Sequence, residues 1–380
     1  MSAINRRTFL KWGACSSLLF LLSGYGYAYF FLQNGADHEF DYEAMFFVKK
    51  EEGKVQCRLC HHKCVIHDGQ ISRCKVRKAS SGVLYTSVYA RPAAVVVEPV
   101  EKEPQYHFLP GSNALCIGTS GCNFTCKNCH NWQLSQQGLA DLERYHHYSP
   151  QEIVDLAHER QVPTISFTYN EPTVFYEYML DISRLAKAEG LKTMLHTNGF
   201  IHSDPLEHLL PYLDTVTIDL KAFTEDFYHR ISGGSLSPVL DTLLKVSQAG
   251  LWLEIVNLLI PGLNDDYASI QKMCNWIRTE LGEHIPLHFS RFSPAYQLRN
   301  LSPTPLATME NAYSFAKKEG LLFVTLGNTP GHKYNSTFCP ACGGTLIERH
   351  HITVKNINIE KGNCRFCHNP IPGIWSTTAI

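Results

Sequence analysis

Hydrophobic and polar positions repeat in a strand-and-helix pattern from Asn113 to about Leu326. Short runs rich in β-branched and aromatic residues predict buried strands, and longer runs with helical spacing lie between them. The predicted strands are ALCIGT, TISFT, KTMLHT, TVTIDL, LWLEIVNLLI, PLHFSRF and LLFVTL. Strands that recur with a helix between them predict a parallel sheet, because each crossover returns the chain to the same edge.

The helix boundaries support this interpretation. In SPQEIVDLAHERQ, Ser149 and Glu152 form a predicted capping box, with Pro150 in the first turn. Three helices are predicted to end at a glycine that a strand follows at once; these are Gly190, Gly250 and Gly320. Six or seven such units predict an α/β fold, a partial or full (β/α) barrel of the TIM type over residues 111–330.

Polar motifs follow the predicted strands at their carboxyl ends. GCNFTCKNCHN follows the first strand, and YNEP, TNGF, DLKAF, PGLND and SPAYQL accompany the next five in order. In a barrel of this kind, the loops after the strands meet at one face, where active sites are built. We therefore expect these motifs to converge.

The first of these loops carries three cysteines, Cys122, Cys126 and Cys129, within eight residues. Three thiolates can hold three irons of a [4Fe–4S] cluster and leave the fourth iron open to a small molecule. The alternative is a zinc site that His130 or a distant residue completes.

The set of motifs resembles the radical S-adenosylmethionine (SAM) enzymes. The closer resemblance is to AmmeMemoRadiSam system radical SAM enzymes, relatives of the pyruvate formate-lyase-activating enzymes. It is carried by VEPVEKEPQYHFLPGS, GTSGCNFTCKNCHNWQLSQ, SFTYNEPTVFYEY, TNGF, IDLKAF, NLLIPGLND and HFSRFSPAY. The resemblance implies that a [4Fe–4S] cluster cleaves SAM reductively to a 5′-deoxyadenosyl radical. This radical abstracts hydrogen from an unidentified substrate, either a protein or a small molecule.

The resemblance also implies roles for single residues. Glu171 accepts from the SAM ammonium group, and Asn198 and Gly199 border the SAM pocket. Asp219 and Lys221 point the same way along a strand, toward the ribose and the SAM carboxylate. The implied partners are SAM, an electron donor such as a flavodoxin or ferredoxin, and AmmeMemo-type proteins.

Three positions depart from the family pattern. Asn128 replaces the aromatic residue that touches adenine, His130 replaces a common glutamine, and His196 replaces the acid that precedes TNG in the activating enzymes. The candidates for the substrate side are His288, Arg291 and Tyr296, on the sixth strand and its loop. A buried core histidine is an equally good account of His288.

Residues 336–380 contain two Cys-x2-Cys pairs on either side of a β-like stretch, TLIERHHITVKN. The spacing predicts a zinc ribbon, with rubredoxin-like iron as the alternative. Too few basic residues surround these pairs for a nucleic-acid role. The four predicted ligands are Cys339, Cys342, Cys364 and Cys367.

Residues 45–110 form a second cysteine-rich region, with four cysteines in CRLCHHKCVIHDGQISRC. Structural zinc and a second iron–sulfur cluster that feeds electrons to the first are both compatible with the spacing. The residues are Cys57, Cys60, Cys64 and Cys74.

Residues 1–34 combine paired arginines at Arg6 and Arg7 with a mostly apolar run from Trp12 to Leu32. This pattern predicts a twin-arginine-like export signal or a membrane anchor, although an apolar helix packed on the domain is the alternative. The chain is thus expected to be membrane-associated or exported, while SAM chemistry is expected in the cytoplasm. The side of the membrane stays open.

The net charge of −1 in 380 residues excludes bulk electrostatic attraction to nucleic acid. Three functional classes therefore stay open. The first is a radical SAM enzyme, the second an iron–sulfur electron-transfer or sensory protein without SAM chemistry, and the third a zinc scaffold. Glu171, Asp219 and Lys221 favour the first, because an electron carrier needs no converging polar set.

Overall fold

The computed structural model describes residues 42–136 and 146–376. The predicted export signal or anchor at residues 1–34 lies outside these ranges, so that assignment stays a prediction. Within the ranges described, no helix has both the length and the apolar character needed to cross a bilayer.

The strands are, in chain order, β1 (Tyr42–Glu43), β2 (Phe47–Lys49), β3 (Val55–Cys57), β4 (Val65–Ile66), β5 (Arg77–Ser80), β6 (Val83–Thr86), β7 (Ala94–Pro99), β8 (Asn113–Gly118), β9 (Thr164–Phe167), β10 (Lys192–Thr197), β11 (Thr215–Asp219), β12 (Trp252–Leu259), β13 (Leu287–Arg291), β14 (Val324–Gly327), β15 (Thr337–Phe338), β16 (Thr345–His350), β17 (Thr353–Ile357), β18 (Ile359–Glu360) and β19 (Asn363–Cys364). The α-helices are α1 (Trp132–Ser135), α2 (Pro150–Glu159), α3 (Tyr176–Ala188), α4 (Ser203–Leu209), α5 (Glu225–Phe227), α6 (Ser237–Gln248), α7 (Tyr267–Trp276) and α8 (Leu306–Lys318).

The seven predicted strands are confirmed as β8 to β14, which form one parallel sheet in chain order. The sequence did not predict β7, which pairs antiparallel with β8 at the edge of the sheet. A full barrel is not observed: in the ranges described, the order of the sheet ends at β7 on one side and β14 on the other. The fold is thus an α/β arrangement with a mostly parallel central sheet.

The helices that connect the strands begin and end as their residues predict. Ser149 accepts a hydrogen bond from the Glu152 N–H, and the Glu152 carboxylate accepts one from the Ser149 N–H, which completes the capping box of α2. Gly190, Gly250 and Gly320 have φ of 78°, 73° and 96°. This left-handed conformation favours glycine and turns the chain directly into the next strand.

The central strands are buried because helices cover them. Helix α3 contributes Met179, Leu180 and Ile182, all within 1% of full burial. Each such side chain contributes about 1.5–3 kcal/mol to folding through removal of apolar surface from water. The sheet therefore provides a rigid base for the loops at its carboxyl edge.

Two cysteine-rich regions flank the sheet. The first, residues 42–90, contains two small antiparallel sheets, β1-β6-β5 and β2-β3-β4. The second contains the sheet β15-β16-β17 and the pair β18-β19. The predicted β-like stretch between the two Cys-x2-Cys pairs is confirmed as the hairpin β16–β17.

Candidate active site

The three-cysteine loop begins after β8 and is held by the segment at residues 231–234. The Thr125 and Lys127 N–H groups donate to the Ser232 and Ile231 carbonyls, at 2.9 and 3.0 Å. Gly234 is required there, because a Cβ on it would lie 2.2 Å from a ring carbon of Phe124. The sequence pattern did not assign this Gly233–Gly234 pair, although two adjacent glycines are a signal of close backbone approach.

The three sulfurs are partly buried and have polar neighbours. The Phe124 N–H donates to Cys122 Sγ at 3.3 Å, and Cys129 Sγ lies 3.3 Å from Ser135 Oγ. Burial raises the pKa of the Cys126 thiol to about 11, against the opposing charge of Lys221. Burial also raises the pKa of the Cys122 thiol. Without a metal the Cys122 and Cys126 thiols are therefore neutral near pH 7, and a bound metal ion would make them thiolates.

Glu171 connects the loops after β9 and β10. Its Oε1 accepts from the Thr173 N–H at 3.0 Å and from the Thr173 and Thr197 hydroxyls at 2.6 Å. Its Oε2 accepts from the Asn198 N–H at 2.7 Å. Oε2 thus has fewer donors than Oε1 among the described residues and is the oxygen with room for a further donor.

The turn after β10 needs its glycine. Gly199 has φ of 73°, and a Cβ on it would lie 3.2 Å from side-chain atoms of Ile218 and Val239. The Gly199 carbonyl accepts from the Thr242 hydroxyl at 2.7 Å, which ties the turn to α6. The TNGF loop thus packs against β11 and α6.

A charged row lies across the ends of β10 and β11. Lys221 Nζ is 2.8 Å from Asp219 Oδ2, so the predicted common direction of these side chains is confirmed. Burial would raise the pKa of Asp219, but Lys221 and His196 outweigh it and hold that pKa well below its usual range. His196 Nε2 lies beside Asp219, and His196 Nδ1 lies beside Glu103. Glu103, which the sequence analysis did not identify, also accepts a hydrogen bond from the Thr168 hydroxyl.

The comparisons with known proteins agree with this geometry. The model of the Radical SAM superfamily matches residues 116–274. An uncharacterized protein of Methanocaldococcus jannaschii is 40% identical over 331 residues, 87% of this chain and 98% of that protein. Residues 116–274 thus form a radical SAM domain.

More distant radical SAM relatives include activating enzymes. The pyruvate formate-lyase-activating enzyme of Clostridium pasteurianum is 26% identical over 201 residues, 48% of this chain and 80% of the enzyme. Among solved structures, Streptococcus suis SuiB bound to S-adenosylmethionine is 16% identical, covering 60% of this chain and 53% of SuiB, with a TM-score of 0.45.

Two of the three positions that depart from the family pattern, Asn128 and His130, lie in the three-cysteine loop. Asn128 Oδ1 is buried and has no hydrogen-bond partner in the described part of the chain. His130 Nε2 is 3.1 Å from the Ser293 carbonyl. Trp132 stacks on Tyr296 with ring centroids 5.3 Å apart, which places Tyr296 beside the three-cysteine loop, called the radical SAM loop below.

His288 lies at the opposite end of the sheet from that loop. It is the second residue of β13, and its Nε2 lies 2.6 Å from Glu254 Oε2 near the start of β12. The Tyr106 and His107 N–H groups donate to the same Glu254 carboxylate. The placement corrects the expectation of a substrate-side His288 and agrees with the alternative of a buried core histidine.

The other two substrate-side candidates have different surroundings. Arg291 ends β13 and donates through Nε to the Thr304 carbonyl at 2.7 Å. Its backbone carbonyl accepts from the Asn328 side chain at 3.3 Å. Arg291 thus organises the loop that carries Tyr296, and Tyr296 is the one of the two that contacts the loop of the cysteines.

The C-terminal cysteines form a compact four-sulfur site. Cys339 Sγ is 3.7 Å from Cys367 Sγ, and Cys342 Sγ is 3.8 Å from Cys364 Sγ. All four sulfurs lie within 4.8 Å of one another. A tetrahedron with metal–sulfur bonds of about 2.3 Å has edges of roughly 3.8 Å, so the spacing fits a single tetrahedral ion, zinc or rubredoxin-like iron.

The N-terminal cysteines also converge. Cys57, Cys60, Cys64 and Cys74 line one cavity, together with Arg77 and with Asn123 of the radical SAM loop. The sequence could predict the grouping of the four sulfurs from their spacing. It could not predict that the group lies against the radical SAM loop, because that contact joins segments about 50 residues apart.

Proposed function

We propose that this chain is a radical SAM enzyme in which Cys122, Cys126 and Cys129 hold a [4Fe–4S] cluster. Such a cluster supplies one electron that cleaves bound SAM to methionine and a 5′-deoxyadenosyl radical. The observation that carries the proposal is that three thiols, Glu171 and the Asp219–Lys221 pair meet at the carboxyl ends of four neighbouring strands.

The spacing of the three sulfurs supports a cluster over a single zinc ion. In the ranges that the structure describes, these three sulfurs do not form a set in which all atoms lie within 4.8 Å of one another, whereas the C-terminal four do. Each thiolate of a cubane cluster binds a different iron, so its ligands stand farther apart than the ligands of one ion.

The residues around the loop offer complementary groups for SAM. Glu171 Oε2 has capacity for the ammonium group, and Lys221 supplies a cation for the carboxylate. Asp219 is 30% exposed and faces the same opening, where it can accept from ribose hydroxyls. Asn198 and Gly199 form the backbone wall of this pocket, and Gly199 allows the close approach.

Asn128 provides the contact with adenine in this proposal. An amide oxygen that is buried and unpaired costs roughly 1–3 kcal/mol, which a ligand donor would recover. The exocyclic amino group of adenine is such a donor. Where the family uses an aromatic face, this chain would use a hydrogen bond.

The proposed substrate class rests on the similarity to activating enzymes. Matches to activating enzymes and the AmmeMemoRadiSam-like motifs support hydrogen abstraction from a protein or a small molecule in an AmmeMemo-associated step. Tyr296, stacked on Trp132 beside the loop, is the candidate on the substrate side. A reductant of the flavodoxin or ferredoxin class would supply the electron.

The test is anaerobic incubation of iron- and sulfide-reconstituted protein with SAM and dithionite, followed by measurement of 5′-deoxyadenosine. We expect wild type to form it and Cys126→Ala to form none. Cys274→Ala is the matched control, since Cys274 is buried in α7 outside every cysteine cluster. A cluster-loaded wild type that forms no 5′-deoxyadenosine would favour the second candidate function, electron transfer without SAM.

A further inference from the structure

Four cysteines of the N-terminal region surround a single cavity that the radical SAM chemistry does not use. Cys57 and Cys74 are buried, and Cys60 and Cys64 are partly exposed. All four are free thiols. Their convergence on one cavity indicates a metal site, because four unpaired thiols rarely gather without a ligand.

The spacing of these sulfurs differs from that of the C-terminal site. There, two sulfur pairs are 3.7 and 3.8 Å apart, as the edges of a zinc tetrahedron require. Across residues 42–136 and 146–376, no three sulfurs of the N-terminal group lie within 4.8 Å of one another. The wider group matches four thiolates that bind four different irons of a cubane.

The surroundings suit a cluster of negative charge. Arg77 lies beside the cysteines with its side chain 1% exposed, and its Nε has no hydrogen-bond partner among the described residues. Its terminal nitrogen binds Glu177, which anchors the guanidinium against α3. Ser72 Oγ is 3.0 Å from Cys74 Sγ, the kind of hydrogen bond that tunes the potential of an iron–sulfur cluster.

The cavity adjoins the radical SAM loop directly. A Cβ on Gly121 would lie 2.5 Å from the Cys74 carbonyl oxygen, so these two backbones touch. His62 Nε2 is 2.8 Å from the Asn123 carbonyl. Gly121 and Asn123 are the immediate neighbours of Cys122 in the chain. Val65, which follows Cys64, is 54% exposed.

We propose that Cys57, Cys60, Cys64 and Cys74 hold a second [4Fe–4S] cluster that passes single electrons from an external iron–sulfur or flavin protein to the radical SAM cluster. Each transfer oxidises the donor by one electron, and no atom is exchanged. The relay role rests on the proposed function, but the presence of the cluster does not.

The first experiment counts metals in anaerobically purified protein. With two clusters and the C-terminal zinc, we expect about eight irons and about one zinc per chain. Cys60→Ser/Cys64→Ser should fall to about four irons, as should Cys126→Ala, with zinc unchanged in both. Cys274→Ser is the matched control. About four irons in wild type would overturn the proposal, whether the zinc content is one or two.

Electron paramagnetic resonance separates this inference from the proposed function. We expect reduced wild type to show one signal that SAM alters and one that it does not. Cys60→Ser/Cys64→Ser should lose only the second. Cys64→Ser alone, at a partly exposed ligand, is the variant to use if the double variant does not fold; it should alter the SAM-insensitive signal. A single signal that SAM alters would overturn the second cluster.

The relay is tested by comparing reductants. Dithionite reaches exposed clusters directly, so Cys60→Ser/Cys64→Ser should keep its dithionite-driven formation of 5′-deoxyadenosine. With reduced flavodoxin and its reductase, the rate should fall about tenfold or more. Equal losses with both reductants would overturn the relay. A wild type that holds two clusters but forms no 5′-deoxyadenosine would support the second cluster and refute the proposed function.

Discussion

His196 Nε2 lies 3.2 Å from Asp219 Oδ1, at the carboxyl ends of two neighbouring strands. Its Nδ1 lies 3.3 Å from Glu103 Oε2, so each ring nitrogen faces a carboxylate. Only the imidazolium form can donate to both. Burial would lower the pKa of His196, but Asp219 and then Glu103 outweigh it and raise that pKa to about 10. The charged row at the ends of β10 and β11 therefore contains two cations, His196 and Lys221, beside the carboxylates of Asp219 and Glu103.

His196→Gln should lower the free energy of unfolding at neutral pH by about 2 kcal/mol, since hydrogen bonds to charged groups are lost. The folded-state pKa lies above the ordinary value of 6.5. The proton's contribution is therefore complete below pH 6.5 and is lost as the pH rises through about 10. The gap between wild type and variant should narrow over this interval in anaerobic urea unfolding.

The control for this prediction is His158→Gln. His158 is 47% exposed and pairs with Glu189 on the surface, where such pairs contribute about 0–1 kcal/mol. It should lower stability little at any pH. A gap for His196→Gln that stays constant from pH 6.5 to pH 10 would show that His196 is neutral in the folded chain.

Asn128→Ala should weaken SAM binding about tenfold, because it removes one hydrogen bond to the ligand. The iron content should not change, since Asn128 is not a cluster ligand. SAM affinity can be measured anaerobically by equilibrium dialysis. Gln133→Ala, an exposed position four residues beyond the last cluster cysteine, is the control. Equal affinities for wild type and Asn128→Ala would disprove the adenine contact.

His288→Asn should destabilise the fold by about 3 kcal/mol, because it leaves the Glu254 carboxylate without its closest partner in a fully buried position. Formation of 5′-deoxyadenosine per loaded cluster should stay the same, since His288 lies at the amino ends of the strands. Thermal unfolding and product formation measure the two effects. A His288→Asn variant that is stable but forms no 5′-deoxyadenosine would show that His288 acts in the active site.

Cys339→Ser should remove zinc from the C-terminal site and unfold the strands β15 to β19, because so small a module depends on its metal for folding. Elemental analysis and limited proteolysis of residues 336–376 would record this. The matched variant Cys274→Ser should retain the zinc. If wild type instead holds iron at this site, the rubredoxin-like alternative replaces zinc.

The sequence predicted more of the parallel sheet than of the contacts around it. The seven parallel strands follow from local alternation, and the capping box of α2 from Ser149 and Glu152. The sequence analysis missed strand β7, AVVVEP, although its run of three valines is typical of a strand. It forms an edge strand only because β8 is available to pair with it. His288 shows the same limit, since the partner that buries it, Glu254, comes from another strand.

By itself the sequence determined the parallel α/β sheet, the three-cysteine loop after its first parallel strand and the two further cysteine groups, because each depends on spacing within a short segment. Only the tertiary structure decided which groups meet. It placed Cys74 against Gly121, His196 between Asp219 and Glu103, and His288 away from the site. Such contacts depend on the packing of distant segments, which no local pattern of residues encodes.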